Sequence, residues 1–353
     1  MKDAPSISVL VPVWNAAADD GRRLRTAFES LFAQCGTPQA PLPPLEILAV
    51  DDGSDDATPA VLHDLARADG RLRIVRVPHG GIARALNAGL EAARGEFIAR
   101  MDADDVAHPQ RLARQAAHLL RQPGLDVSAS RVRFGGDPRT AYGFAHYVDW
   151  QNGLCGHEEM ARNRFRDTPI CHPSAMFRRS AVERFGGYAD GDFAEDWELW
   201  LRWFHAGAHM EKLPEELLVW NDPPGRLTRT DARYTDTANN ALRARWLARH
   251  LLREGRERVW VLGAGRVARR RLAPLWAEGI EPVAFIDIDP CKIGQRVPLS
   301  PHDARRVPVL SRQELPPPGT GLLLNVLTAH GAAEEAADWL GEAGYAPEDW
   351  LLV

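Results

Sequence analysis

The first hundred residues alternate short apolar runs with segments of helical period, and this alternation limits the fold more than any other feature. Ile7 to Val13 is a near-continuous apolar run, the pattern of a strand covered on both faces. Leu24, Phe28, Leu31 and Phe32 then recur at helical spacing. Glu46 to Val50 reads as a second strand. Thr58-Pro59 reads as an N-cap with proline at the first helical position, and Val61, Leu62 and Leu65 continue that helix. Arg73 to Val77 is a third strand. Ile82, Ala85, Leu86 and Leu90 form a helical stripe that Gly95 can stop, and "EFIARM" is a fourth strand. The order predicts an α/β fold, a mostly parallel sheet with helices on both faces. Such sheets bind ligands beyond the carboxyl ends of their strands. Asn15, Asp51-Asp52 and Asp102 to Asp104 each follow a strand, so they are expected on one rim.

Further along, Leu112, Ala116, Leu119 and Leu120 mark a helix after Pro109, and residues 123–170 show no clear period. Trp197, Trp200, Leu201 and Phe204 have helical spacing, with Gly207 able to end the helix. Asn221 to Tyr234 is polar and proline-rich and reads as a mobile loop, followed by a helix carrying Leu242, Trp246 and Leu247. A second α/β pattern begins near Arg256, so the expected domains are residues 1–254 and 255–353. Its "GAGRVA" (Gly263 to Ala268) follows a strand, opens a helix and fits G-x-G-x-x-[G/A], with Asp287 ending the next strand. That turn reads either as a nucleotide site using Gly263, Gly265 and Asp287, or as a Rossmann-like turn kept without a ligand. No Tyr-x-x-x-Lys pattern follows. An accessory role is therefore expected, and NAD is not an expected cofactor.

With 353 residues, 45% of them apolar and 26% charged, the chain has the composition of a globular protein of two to three domains. A net charge of -5 argues against broad nucleic-acid binding. Cys35, Cys155, Cys171 and Cys291 form no CxxC pair, so neither a zinc site nor a disulfide framework is expected. The opening "MKDAPSISVL" lacks a long apolar segment, and no stretch reaches the roughly 18 apolar residues of a membrane span. The expected location is the cytoplasm, with peripheral contact at the inner face of the membrane as the only membrane association.

Three acidic motifs carry candidate chemistry, and each has a plain alternative. "VDDGSDD" can be a turn with a helix cap, or it can present Asp52 as an acceptor for a nucleobase N–H. "MDADD" can close a strand, with Asp105 capping the next helix. It can also be an Asp-x-Asp metal site, because Mg²⁺ and Mn²⁺ take one or two carboxylates together with substrate phosphates. In extended backbone Asp102 and Asp104 point one way and Ala103 the other. In "FAEDWELWLRW", Glu195 and Asp196 either complement a helix N-terminus or supply a general base of raised proton affinity beside Trp197. Trp197 itself can be core or a sugar platform.

"ISVLVPVWN", "EILAVDDGSDD", "GIARALNAGL", "GEFIARMDADD", "HPSAMFRR", "GGYAD" and "AEDWELWLR" occur in the order seen in family 2 glycosyltransferases of the GT-A fold, and the resemblance covers roughly residues 5–230. It implies a nucleotide-sugar donor of UDP or dTDP type, a Mn²⁺ or Mg²⁺ ion, a saccharide or glycolipid acceptor, and inversion at the anomeric carbon. It implies that Pro12, Val13, Trp14 and Asn15 line the nucleotide pocket, with Trp14 stacking on the base and Asp52 holding its edge. Arg84 would approach the diphosphate or the base. Asp102 would contact ribose or the donor sugar, with Ala103 beside it, and Asp104 would bind the metal. Asp196 would deprotonate the acceptor. His172-Pro173-Ser174 matches a segment on the acceptor side, where Glu195 and Trp197 also fall. Arg226 and Arg229, in the loop after residue 220, would reach the phosphates. Many relatives carry a histidine in that loop and this chain has none, which leaves a third protein ligand in question. Leu199 stands where processive members have the glutamine of Gln-x-x-Arg-Trp, so a single addition is expected. The competing readings are a non-catalytic nucleotide-sugar scaffold and an NAD-linked sugar-modifying enzyme built on the C-terminal unit. Bacterial surface polysaccharide assembly is the setting the resemblance implies.

Overall fold

A computed structural model describes residues 6–223, 225–300, 303–327 and 331–353. They form two compact units, Met1–Ala161 with Thr168–Gly191 and Glu195–Thr230, and Arg162–Asp167 with Asp192–Ala194 and Asp231–Val353.

The first unit begins β1 (Ile7–Val13), α1 (Arg22–Phe32), β2 (Leu45–Asp52), α2 (Thr58–Ala68), β3 (Leu72–Val77), α3 (Ile82–Ala92) and β4 (Phe97–Arg100). It continues with β5 (Val106–Ala107), α4 (Arg111–Arg121), β6 (Val127–Phe134), α5 (Tyr142–Gly153) and α6 (His157–Asn163). Then come β7 (Met176–Arg178), α7 (Arg179–Phe185), α8 (Glu195–His205), β8 (Met210–Trp220) and α9 (Leu227–Thr230). The sheet order is β3-β2-β1-β4-β7-β6-β8-β5. Strands β3, β2, β1 and β4 run parallel, β7 lies antiparallel between β4 and β6, and β6 pairs parallel with β8. The expected mostly parallel sheet is therefore present, with helices on both faces. On one face Phe97, Ala99 and Met101 pack with Leu24 and Phe28 of α1, Leu62 of α2 and Leu112 of α4. On the other, Ile98 packs with Leu86 of α3 and with Trp200 and Trp203 of α8. The alternation along β4 produces this split. The Trp200 and Trp203 rings meet edge to face at 5.9 Å, a pairing worth about 1 kcal/mol beyond its buried area.

Two local expectations give way. Thr58 does not cap α2: its hydroxyl accepts the Ala16 N–H at 2.8 Å, so it ties the β1 loop down. Gly95 does not stop α3, which ends at Ala92. A side chain at Gly95 would lie 2.5 Å from the Ser8 nitrogen, so glycine is needed there for close approach to β1.

The second unit holds α10 (Asp236–Arg253), β9 (Arg258–Leu262), α11 (Arg266–Ala277), β10 (Glu281–Ile286), β11 (Arg296–Ser300), β12 (Asp303–Leu310), β13 (Leu322–Asn325), α12 (Ala332–Glu342) and β14 (Trp350–Leu352). Its sheet order is β11-β12-β10-β9-β13-β14, with β11 antiparallel and the other pairs parallel. Among the described residues no helix is long and apolar enough to cross a membrane.

Candidate active site

The carboxyl ends of β1 and β2 lie side by side, with Val13 opposite Asp51. Their loops are laced together. Asn15, in the left-handed region at φ 45°, donates through its backbone N–H to Ser54 Oγ at 3.0 Å. Its side-chain amide donates to Asp55 Oδ1 at 2.8 Å and accepts the Asp55 N–H at 3.1 Å. Asp52 is buried and accepts the backbone N–H groups of Gly80 and Gly81, each at 2.9 Å. His79 Nδ1 lies 2.9 Å from Asp52 Oδ2. Trp14, 51% exposed, stacks on the His79 ring. Asp52 and Trp14 thus sit on one platform bridged by His79. Nothing in the sequence reading singled out His79, although its place two residues after β3 on the same rim is a readable signal. Pro12 is half-buried, and Val13 belongs to the core, so only its backbone faces the loop. Arg84 is exposed and pairs with Asp190 at 2.9 Å.

The "MDADD" segment leaves β4 as a tight turn. Asp102 is partly exposed, and one oxygen pairs with Nη1 of Arg100. Asp104 is half-buried. Burial and the Asp102 carboxylate push its proton affinity up to about 6, against the opposing charges of Arg226 and Arg100. Ala103 packs against the core; the segment is a turn and not extended backbone, so strand alternation does not set its direction. Asp105 does not cap a helix. It is fully buried, and its Oδ1 accepts the Asn221 N–H at 2.8 Å, while the Asn221 amide donates to the Asp104 carbonyl at 2.6 Å. The helix that follows starts only at Arg111, after Gln110. Asp105 therefore binds the end of β8 to the acidic turn.

After β8 the chain carries the expected arginines and a short helix. Asp222 pairs with Arg229 at 2.7 Å and with Arg226 at 3.7 Å. The Arg226 guanidinium lies 3.9 Å from the Trp220 ring centroid and 5.1 Å from that of Phe144. These contacts hold it where its charge reaches Asp104.

Glu195 and Asp196 open α8, with Glu195 buried and Asp196 half-buried. The Trp197 N–H donates to Asp196 Oδ1 at 2.7 Å. Burial, followed by the Glu195 charge, raises the proton affinity of Asp196 to about 7, which keeps a large protonated fraction near neutrality. Trp197 is 3% exposed and packs inside the protein. His172 is also buried. Its Nε2 lies 2.8 Å from the Tyr188 hydroxyl and its ring meets Trp200 edge to face, and burial then the Arg100 charge hold its proton affinity well below the usual range. Asn87 bonds both main-chain polar groups of Tyr188, at 2.8 and 2.9 Å.

No group of three or more His, Cys, Asp or Glu side chains is arranged to hold a metal ion among the described residues. Asp104 and Asp102 still suit a hard divalent cation that draws the rest of its shell from substrate phosphates and water. Two mutually repelling carboxylates, one of them desolvated, are relieved by such a cation.

In the second unit Gly263 sits at φ 110°, ahead of α11. Asp287 Oδ2 accepts the Ala264 N–H at 3.1 Å and the Lys292 ammonium at 3.1 Å, so the chain itself engages this carboxylate. Gly265 stands at the helix entry with open space beside its α-carbon.

Residues 8–186 match the sequence profile of Glycosyl transferase family 2. An uncharacterized glycosyltransferase of Haemophilus influenzae is 30% identical over 210 residues, covering 58% of this chain and 73% of that protein. The amylovoran biosynthesis glycosyltransferase AmsE of Erwinia amylovora is 30% identical over 216 residues, covering 60% of this chain and 74% of AmsE. Among solved structures, residues 1–349 of S. aureus TarS in complex with UDP-GlcNAc superpose with a TM-score of 0.51 at 18% identity, covering 70% of this chain and 73% of that one. That likeness concerns the fold alone, and the fold is the expected GT-A arrangement. The chain belongs to glycosyl transferase family 2.

Proposed function

We propose that the chain transfers a sugar from a nucleoside-diphosphate sugar, of UDP or dTDP type, to a hydroxyl of a saccharide or glycolipid acceptor, one addition at a time and with inversion. The observation that carries this reading is the state of Asp196. It is a half-buried carboxylate at a helix start whose proton affinity stands near 7, within reach of the charge of Arg100, the partner of Asp102. A carboxylate so poised can accept the proton of an otherwise poor nucleophile.

In this mechanism Trp14 stacks on the base, and Asp52, fixed by Gly80 and Gly81, accepts an N–H from its edge. Asp102 contacts the ribose or the donor sugar. Asp104 holds a divalent cation, Mn²⁺ or Mg²⁺, which when bound supplies Lewis-acid stabilisation to the departing diphosphate. Asp196 takes the acceptor proton as the acceptor oxygen bonds to the anomeric carbon from the face opposite the leaving group. The bond from that carbon to the diphosphate oxygen breaks, and the nucleotide leaves with the electron pair. Arg226 and Arg229 pair with the phosphates and help exclude water. The name of AmsE, an amylovoran biosynthesis glycosyltransferase, supports the role we assign in bacterial surface polysaccharide assembly, with action in the cytoplasm as part of the same proposal. We read the second unit as a Rossmann-like accessory domain. The strand order, which places the first parallel strand (β9) between β10 and β13, and the glycine turn ahead of α11 both support this.

Thermal-shift screening of UDP- and dTDP-sugars with and without Mn²⁺ tests the donor, since a bound ligand stabilises by mass action. Nucleotide release by Asp104→Asn and Asp196→Asn tests the roles. Both should lose transfer while remaining folded. Turnover like wild type in both variants overturns the assignment.

A further inference from the structure

Arg100 ends β4 at the rim, yet it is only 2% exposed. Alternation along the strand sets its direction. Phe97, Ala99 and Met101 face the side of α1, α2 and α4, so Ile98 and Arg100 face α3 and α8. A buried guanidinium is costly unless charges of opposite sign surround it. Here burial opposes the charged form, and Nη1 pairs with Asp102, whose carboxylate charge, with that of Glu195, favours it. In return the Arg100 charge favours the ionised forms of Asp104, Asp105 and Asp196. Among the described residues neither its Nε nor its Nη1 has a partner in hydrogen-bond geometry, so Nη1 meets Asp102 as a close ion pair. The backbone beneath it is pinned on both sides. Its N–H donates to the Ala175 carbonyl at 2.9 Å, and its carbonyl accepts Arg111 Nη2 at 2.6 Å. Arg111 is itself buried and braced by Gln115, which donates to the carbonyls of Ser128 and Ser174 at 2.6 and 2.8 Å.

We propose that Arg100 is a positioning residue for sugar transfer. Its buried guanidinium fixes the Asp102 carboxylate in the orientation the donor requires, and it supplies the positive charge shared between Asp102 on the donor side and Glu195–Asp196 on the acceptor side. The proposal rests on the transferase reading above, with Asp102 as a donor contact. Without Arg100, Asp102 is free to turn away from the end of β4, and the charge that favours the ionised forms of Asp104 and Asp196 is gone. Lysine keeps the charge but not the planar guanidinium whose Nη1 lies against Asp102.

The test is a double-mutant cycle on the full chain. Titration calorimetry with UDP in Mn²⁺, or with dTDP or GDP where UDP does not bind, is run on wild type, Arg100→Met, Asp102→Asn and the double variant. Each single variant should weaken binding about tenfold, the loss expected when one partner of a buried ion pair is removed from the binding site. If Arg100 acts through Asp102, the double variant binds no more weakly than the weaker single one. Losses that multiply overturn the proposal. A general structural defect would lower the melting temperature equally whether residue 102 is Asp or Asn, and would not produce this dependence. If Arg100→Met does not fold, Arg100→Lys takes its place. It should weaken binding when residue 102 is Asp and have no further effect when it is Asn, and an equal effect in both backgrounds overturns the role. A wild-type chain that binds none of these nucleotides sinks the transferase reading itself, whereas normal wild-type binding with multiplying losses removes only the role of Arg100.

Discussion

The indole of Trp14 lies flat against the imidazole of His79, with centroids 4.6 Å apart and planes inclined by 17°. His79 in turn stands beside both the side chain and the carbonyl of Asp52. One ring face of the indole is thus covered, and half of the residue remains open to solvent. Stacking a base on an aromatic face contributes about 1–3 kcal/mol. Trp14→Ala should therefore raise the donor KM roughly tenfold with little change in kcat. His79→Ala should do the same more weakly, because it removes the support and leaves the platform. Steady-state kinetics with varied donor checks both.

With Asp196 as the proposed base, its proton affinity sets the expected pH dependence. Its proton affinity is raised from the ordinary 3.8 to about 7, first by burial and then by Glu195. A base must be ionised, so kcat should climb with pH and level off above about 7. The stability consequence has the opposite direction. The fold favours the protonated form, so this contribution to stability is complete below about pH 3.8 and is lost as pH rises through about 7. Asp196→Asn should therefore melt higher than wild type at pH 8, with the gap narrowing toward pH 5, while losing transfer. A variant melting below wild type at pH 8 would contradict the raised proton affinity.

Gly53 is confined by φ +69° and by space, since an added β-carbon would lie 2.6 Å from the His79 backbone nitrogen. Gly53→Ala should cost about 1–3 kcal/mol of stability, read by urea unfolding. It should also weaken nucleotide binding, because the His79 and Asp52 loops can no longer approach each other as closely.

Asp105 and Asn221 join the acidic turn to the end of β8. Asp105→Asn keeps an acceptor for the Asn221 N–H and should fold. Asp105→Ala leaves that buried donor without its partner and should cost about 1–3 kcal/mol. Equal melting temperatures for the two variants would show that the tether carries no stability.

The parallel half of the sheet was legible because β1 to β4 are apolar runs set between helical stripes, and strand ends alone located Asp52, Asp102 and Asp104. The other half was not. β6, "VSASRVRF", alternates small and charged residues, and β8, "MEKLPEELLVW", contains Pro214 and three glutamates, so neither reads as a strand. Pairing supplies what propensity lacks: the two strands bond to each other along their length, with register shifts around Arg131. Arg100 escaped notice for a related reason. A charged residue at a strand end ordinarily faces water, and only the acidic groups brought in by α8 and the acidic turn make its burial tolerable. Asp105 looked like a cap because its long-range partner, Asn221, is 116 residues away in sequence.

The lacing among Asn15, Asp52, Asp55, Gly80 and Gly81 has an evolutionary consequence. Every bond in it joins residues between positions 15 and 81, whereas Asp196 is set by α8 and its buried tryptophans. On the proposed roles, inherited changes that retune base preference would accumulate in the early loops without disturbing the start of α8, and acceptor choice would drift around α8 without unsettling the base platform. Such a chain can diversify along two nearly independent axes, and Arg100 marks the point where a change on either axis must remain compatible with the other.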